Sequence, residues 1–243
     1  MKPSPPSQFR ALSVALLTLA TAGSSTLAGN INLDTTSAWN GTDAMDAFGV
    51  PNTSTYGQTF IAPAGAGALE NFTFFINTTT GSHLLARPFV MRWTGGLYGG
   101  DGGTAVGPTL HLGSPITLDP TGGFEEVLID VGGVPVTPGN AYVLGLTISD
   151  PADYNASTGK SVWGIIANHV SGVKSGGGGF VFFNNLDQIG ELETVDWDHF
   201  IDLGDLAFKA TFSPSVPDAG SSLAFLALGL FGLTFATRRA TRA

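Results

Sequence analysis

The sequence predicts an all-β protein: a two-sheet antiparallel β-sandwich of jelly-roll-like form, with a signal helix before it and a transmembrane helix after it. Three observations carry the prediction. From about Ile31 to Phe212 apolar residues recur with a period of two, the side-chain period of a strand. No helical period lasts for a dozen residues in that stretch, so strands do not alternate with helices and a doubly wound fold is excluded. The 34 glycines and 14 prolines supply turns for many short strands, short of the roughly 25–30% that marks low complexity.

Nine runs have strand character. Gln58 to Ala62 comes first. In Leu69 to Asn77, Phe72, Phe74 and Ile76 share one face, while Asn71, Thr73, Phe75 and Asn77 share the other. Ala86 to Trp93, Thr109 to Leu118 and Val127 to Val131 follow. Tyr142, Leu144, Leu146 and Ile148 then alternate with Val143, Gly145 and Thr147. Thr137-Pro138-Gly139-Asn140 just before that run has Pro and Gly at the central positions of a type II turn, so the strand should start at Ala141. Ser161 to Asn168, Phe180 to Asn184 and Leu206 to Phe212 complete the set, for nine or ten strands in all. The glycines from Gly176 to Gly179 read as a flexible loop. A body of this length buries roughly 70% of its unfolded surface, enough for a core without disulfides, and the chain has no Cys. No repeat of fixed period appears, which disfavours propellers and solenoids.

The ends read as addresses. Lys2 and Arg10 precede twelve uncharged residues, Ala11 to Ala22, and a small, polar exit ending at Ala28. As a helix those twelve residues would reach roughly 18 Å, too short to span a hydrocarbon core of about 30 Å. Residues 1–28 are therefore expected to be a signal peptide, cut after Ala28 in preference to Ala22 by signal peptidase. Residues 29–213 would form the sandwich and 214–243 a sorting signal. Ala219 to Thr237 is an uncharged run between Asp218 and Arg238, and as a helix it would reach roughly 28 Å, enough to cross a membrane. Arg238, Arg239 and Arg242 should stay cytoplasmic as a basic stop, holding the body outside.

The motif Val216-Pro217-Asp218-Ala219-Gly220-Ser221, the apolar span and the terminal arginines together resemble the PEP-CTERM class of bacterial sorting signals, and most of all its VPDSG-CTERM variant. The resemblance covers Val216 to Ala243, with Ala219 where Ser is usual and without the second Pro of the PEP form. It implies processing by an exosortase, a membrane-embedded cysteine transpeptidase of exopolysaccharide-producing bacteria, and delivery to the cell surface or extracellular matrix. The body resembles a β-sandwich domain common in proteins with this tail, through Gln58-Thr59-Phe60, Leu69 to Phe75, Thr137-Pro138-Gly139 and Asp205-Leu206-Ala207-Phe208. Members of that group mostly lack an assigned activity, so the resemblance implies a fold and an address.

Charge narrows the partners. Between Gly29 and Ser213 five bases stand against eighteen acids, a balance of −13, which repels phosphate backbones and argues against nucleic acid. Without Cys there is no thiol nucleophile and no Cys-ligated metal. His83, His111, His169 and His199 are scattered without a zinc-binding spacing, and no G-x-S-x-G occurs. Gly159-Lys160-Ser161 reads as a loop entering a strand, since the P-loop spacing is absent. No cofactor is expected. Asp187 to Asp205 places seven carboxylates in 19 residues without a base. Three readings stand: a solvated loop, a Ca²⁺ site of hard oxygen ligands lacking the EF-hand spacing, or a carboxylate pair for glycoside hydrolysis. Among Trp39, Trp93, Trp163, Trp197, Tyr56, Tyr98 and Tyr154, which could stack on sugar, Trp93 shares a strand face with Phe89 and Met91 and reads as core. Trp197, between Asp196 and Asp198, is expected to be exposed and is the candidate ligand contact. The expected function is that of an exported, non-catalytic surface or matrix protein, with an exopolysaccharide-binding module as the alternative and a secreted glycoside hydrolase as a third reading.

Overall fold

A computed structural model describes residues 29–96, 103–166, 178–198 and 204–215. The signal segment 1–28 and the sorting signal, including Val216, Pro217, Asp218, Ala219, Gly220, Arg238, Arg239 and Arg242, lie outside the described residues, as do Tyr98, His169 and His199. Among the described residues no helix is long and apolar enough to cross a membrane.

Among the described residues twelve strands form two six-stranded antiparallel sheets. In the first, β4 (Ala66–Thr78) is central, with β8 (Glu125–Pro135) along one edge. Along its other edge β12 (Phe208–Pro214) and β10 (Gly159–Gly164) follow one another, flanked by β1 (Ile31–Asp34) and β2 (Ala44–Val50). The second sheet runs β11 (Phe180–Phe183), β3 (Thr55–Ile61), β9 (Ala141–Thr147) and β5 (Leu84–Gly95). The free edge of β5 pairs first with β7 (Ile116–Leu118) and then with β6 (Gly103–Leu112).

The period of two orders the core. Phe72, Phe74 and Ile76 of β4, Tyr142, Leu144 and Leu146 of β9, and Phe208, Ala210 and Phe212 of β12 all lie buried between the sheets. Tyr56 sits in an aromatic knot, with ring centroids 4.9 Å from Phe180, 5.3 Å from Trp163 and 5.5 Å from Phe48. The expected turn is present: the Asn140 N–H donates to the Thr137 carbonyl at 3.1 Å, Gly139 has φ +82°, and β9 begins at Ala141. Buried Gln58 of the second sheet ties the two sheets together, because its Oε1 accepts from Leu206 N at 2.7 Å and its Nε2 donates to Asp205 Oδ1 at 2.8 Å.

Several elements differ from expectation. The run from Thr109 to Leu118 is two strands, because the Gly113 N–H bonds the Pro88 carbonyl and Pro115 interrupts the pairing. The strand expected over 161–168 ends at Gly164. β1 has only four residues with half-buried Ile31 and Leu33, and β2 loses its alternation at a register shift opposite Ser161 and Trp163, so neither carries a long period-two signal. A short helix α1 (Pro151–Ala156) was invisible to periodicity, although Asp150 caps it by accepting from Ala152 N at 3.0 Å and Pro151 opens it. The flexible-loop reading of the glycine run does not hold for Gly179, whose N–H donates to Thr59 Oγ1 and whose carbonyl accepts from Thr59 N, both at 2.9 Å.

The expectation for Trp197 is overturned. Strand alternation turns Phe89, Met91 and Trp93 of β5, Val143 of β9 and Val181 and Phe183 of β11 away from the main core, and the segment 185–198 folds over that outer face. Trp197 is 2% exposed there and closes a second apolar cluster with Leu192, while its Nε1 donates to the Leu192 carbonyl at 3.2 Å. Backbone bonds of 2.9 Å from Trp197 N to Gly103 O and between Asp198 and Phe182 in both directions clamp it. Asp196 and Asp198 are exposed because they flank an inward-pointing residue. Trp93 lies in the same cluster, as the shared face implied.

Candidate aromatic surface on the first sheet

The two sheets treat their outer faces differently. The second sheet is covered by the acidic segment, whereas Trp39, Phe75 and Phe124 lie half-buried on the outer side of the first. Trp93, Trp163 and Trp197 are 6%, 1% and 2% exposed, so Trp39 is the tryptophan left with surface.

Trp39 is placed by the chain just after β1. Buried Thr35 anchors that chain to β12, its Oγ1 accepting from Phe208 N and donating to the Leu206 carbonyl, both at 2.8 Å. A 3-10 turn over Thr36–Ala38 follows, and the Trp39 N–H closes onto the Thr36 carbonyl at 3.1 Å. The indole Nε1 donates to the Asp43 carbonyl at 2.8 Å, fixing the ring's rotation. The six-membered ring rests on Gly164 of β10, where a Cβ would stand 2.7 Å from it, so only glycine lets the indole lie this close to the sheet.

Phe75 belongs to the odd-numbered, outward face of β4, and its ring lies 5.1 Å from that of Trp39. Phe124, at the entry to β8, meets Trp39 edge to face at 5.0 Å and 88°. Lys209 of β12 extends over the Phe75 ring at 5.2 Å and donates to Glu126 Oε1 at 2.8 Å, while Glu126 is the β8 residue in register with Phe75. Half-buried Asn71, Asn77 and Thr211 lie on this face, and Leu128, in register with Thr73, is 67% exposed.

Beside this surface a cleft of about 430 Å³ opens between the sheet edges, floored by Ile76, Leu118 and Val127 and rimmed by Thr78, Thr117, Asp119, Thr121, Glu125 and Glu126. At its lip His83 Nδ1 and Asp119 Oδ1 are hydrogen-bonded at 2.9 Å. Farther along the sheet edge lies half-buried His111 of β6, whose burial lowers its pKa while the nearby Asp130 carboxylate works against that effect.

The described carboxylates of the acidic segment do not converge on a point. Glu193 Oε1 accepts from Thr109 N at 2.8 Å and from its hydroxyl at 2.5 Å, Asp205 is buried against Gln58, and Asp187, Asp196 and Asp198 are exposed. Asp202 lies outside the described residues. Among the described residues no three His, Asp or Glu side chains gather where one metal ion could bind them. The aromatic surface, by contrast, was not visible in the sequence, because its members lie far apart in the chain and meet through the sheet. Its chemistry combines ring faces with amide, hydroxyl and carboxylate groups, which suits a ligand carrying both C–H faces and hydroxyls. The chain matches no model of a known protein family, no curated protein and no solved structure.

Proposed function

We propose that this chain is an exported, non-catalytic β-sandwich protein, sorted by an exosortase through residues 216–243 and delivered to the cell surface or extracellular matrix. The VPDAG motif, apolar run and terminal arginines support the address, with a transmembrane helix over 219–237 as the anchor before processing. The observation that carries the role is how the body uses its polar groups. Carboxylates and hydroxyls such as Glu193, Asp205 and Thr35 hold segments to the sheets, as a scaffold requires. Fractionation of cells expressing the full chain and a form lacking residues 216–243 tests the proposal. The full chain should be found in the envelope and the truncated form should be released from it. Both forms remaining in the cytosol would refute the address.

A second reading, a carbohydrate-binding module for exopolysaccharide, is favoured by the Trp39, Phe75 and Phe124 surface. It moves the contact expected at Trp197 to the opposite side of the sandwich. Its test is retention of the protein on immobilised polysaccharide, with loss of retention in Phe124→Ala.

A further inference from the structure

We infer that the outer face of the first sheet takes a polysaccharide bearing free amino groups, with Trp39 and Phe124 stacking on sugar rings and the carboxylates around them receiving the ammonium groups. This rests on the carbohydrate-binding reading and adds the charge class of the polymer.

The argument is one of matched and unmatched charge on a single surface. Among the described residues two lysines stand on this sheet face, and each is held by an acid: Lys160 Nζ lies 2.9 Å from Asp46 Oδ2, and Lys209 Nζ lies 2.8 Å from Glu126 Oε1. Asp34 stands across the β1–β12 pair from Lys209, which is already bound to Glu126, and Asp130 lies near His111; their carboxylates accept bonds from Thr36 and from Gly132 N. Glu125 and Asp119 lie round the sheet edge in the adjoining cleft, Glu125 on the Ile76 side of β8 and Asp119 bonded to His83. Four carboxylates, Asp34, Asp46, Glu126 and Asp130, thus face two lysines on this side among the described residues, on a body with a balance of −13. A polyuronate laid across them would bring like charges within a Debye length of about 8 Å at physiological salt. A neutral polymer would leave that charge unused. A polymer with an ammonium on its sugars satisfies both features at once, since an ammonium over an indole face is also attracted by the ring quadrupole.

The test uses the full chain in mild detergent micelles and three probes: a glucosamine hexasaccharide with free amines, its fully N-acetylated counterpart and an oligogalacturonate. The amine form should bind at least about fivefold more tightly than the acetylated one, and the oligogalacturonate should not bind. Raising the salt should narrow that difference, because exposed charges are screened. Asp34→Asn with Asp130→Asn, which keeps side-chain shape, should weaken amine binding by roughly three- to tenfold and leave the acetylated form unchanged. Phe124→Ala, checked for native circular dichroism, should weaken both. Equal binding of amine and acetylated forms, or binding of the uronate, would overturn the charge class while leaving the carbohydrate reading intact. Binding by none of the three would remove that reading and the inference with it. Wild-type binding in a folded Phe124→Ala would overturn the site.

Discussion

Trp93 and Trp197 meet edge to face on the outer side of the second sheet, their ring centroids 5.7 Å apart and their planes at 90°. Phe183 stacks on Trp197 from another side at 6.1 Å, and Phe89 lies 5.7 Å away. This contact makes the acidic segment part of the fold. Trp197→Ala should therefore destabilise the protein by about 3–5 kcal/mol, the usual cost of emptying a buried aromatic site. Trp197→Phe should cost less, because it keeps a ring and loses mainly the bond to the Leu192 carbonyl. Urea unfolding would measure both. Limited proteolysis should show cleavage within 185–198 in the Ala variant before the sandwich is cut, and an unchanged cleavage pattern would mean that Trp197 is not the anchor.

Legibility followed the physics of each element. β4, β9 and β12 were read from sequence because each has one face in the main core, so period two is written plainly in Phe72, Phe74 and Ile76 or in Tyr142, Leu144 and Leu146. The second cluster was harder because β5 and β9 are buried on both faces, which hides which side a residue takes. At Trp197 the flanking acids point to exposure, yet Asp196-Trp197-Asp198 is itself one inward residue between two outward ones. Trp39 was legible only as an aromatic residue. Its place depends on Gly164, Asp43 and Phe124, and no local pattern joins those positions.

The turn before β9 offers a backbone test. Gly139 holds φ +82° with open space around it, so a methyl group would meet no neighbour and the cost of substitution is conformational alone. Gly139→Ala should lower stability by about 1–2 kcal/mol, and Gly139→Asn by less, since Asn tolerates the left-handed region better. Paired thermal melts of the two variants would show this order. Equal stability of wild type and Gly139→Ala would rule out the type II geometry.

Calcium response discriminates between readings of the segment 187–205. Among the described residues Glu193 goes to Thr109 and Asp205 to Gln58, while Asp187, Asp196 and Asp198 are exposed, and no three such groups gather at one point. The melting temperature should therefore agree within about 1 °C between millimolar Ca²⁺ and chelator. A real site would stabilise by roughly 2.7 kcal/mol at a hundredfold excess over Kd, and at about 2–4 °C per kcal/mol the shift would be plain. Such a rise would bring back the calcium reading.

Acid should weaken the fold through His111. Burial lowers its pKa below the ordinary value of 6.5, against an opposing pull from the Asp130 carboxylate. The sign follows from proton counting: as pH falls through 6.5 the unfolded chain binds a proton at this imidazole before the folded chain does, so the unfolded state is favoured. Stability is complete above 6.5, declines below it, and levels off once the pH passes the lowered native value. The urea midpoint of the wild type should drop between pH 7 and pH 5.5 by more than that of His111→Gln, which has no imidazole to protonate. Asp130→Asn removes the attraction that offsets burial, so the His111 pKa should fall further, measurable in the imidazole C–H shifts by NMR. That variant should also lose more stability over the same interval than wild type does. Parallel midpoints for wild type and His111→Gln would show that burial at this position leaves the imidazole as free to protonate as in the unfolded chain.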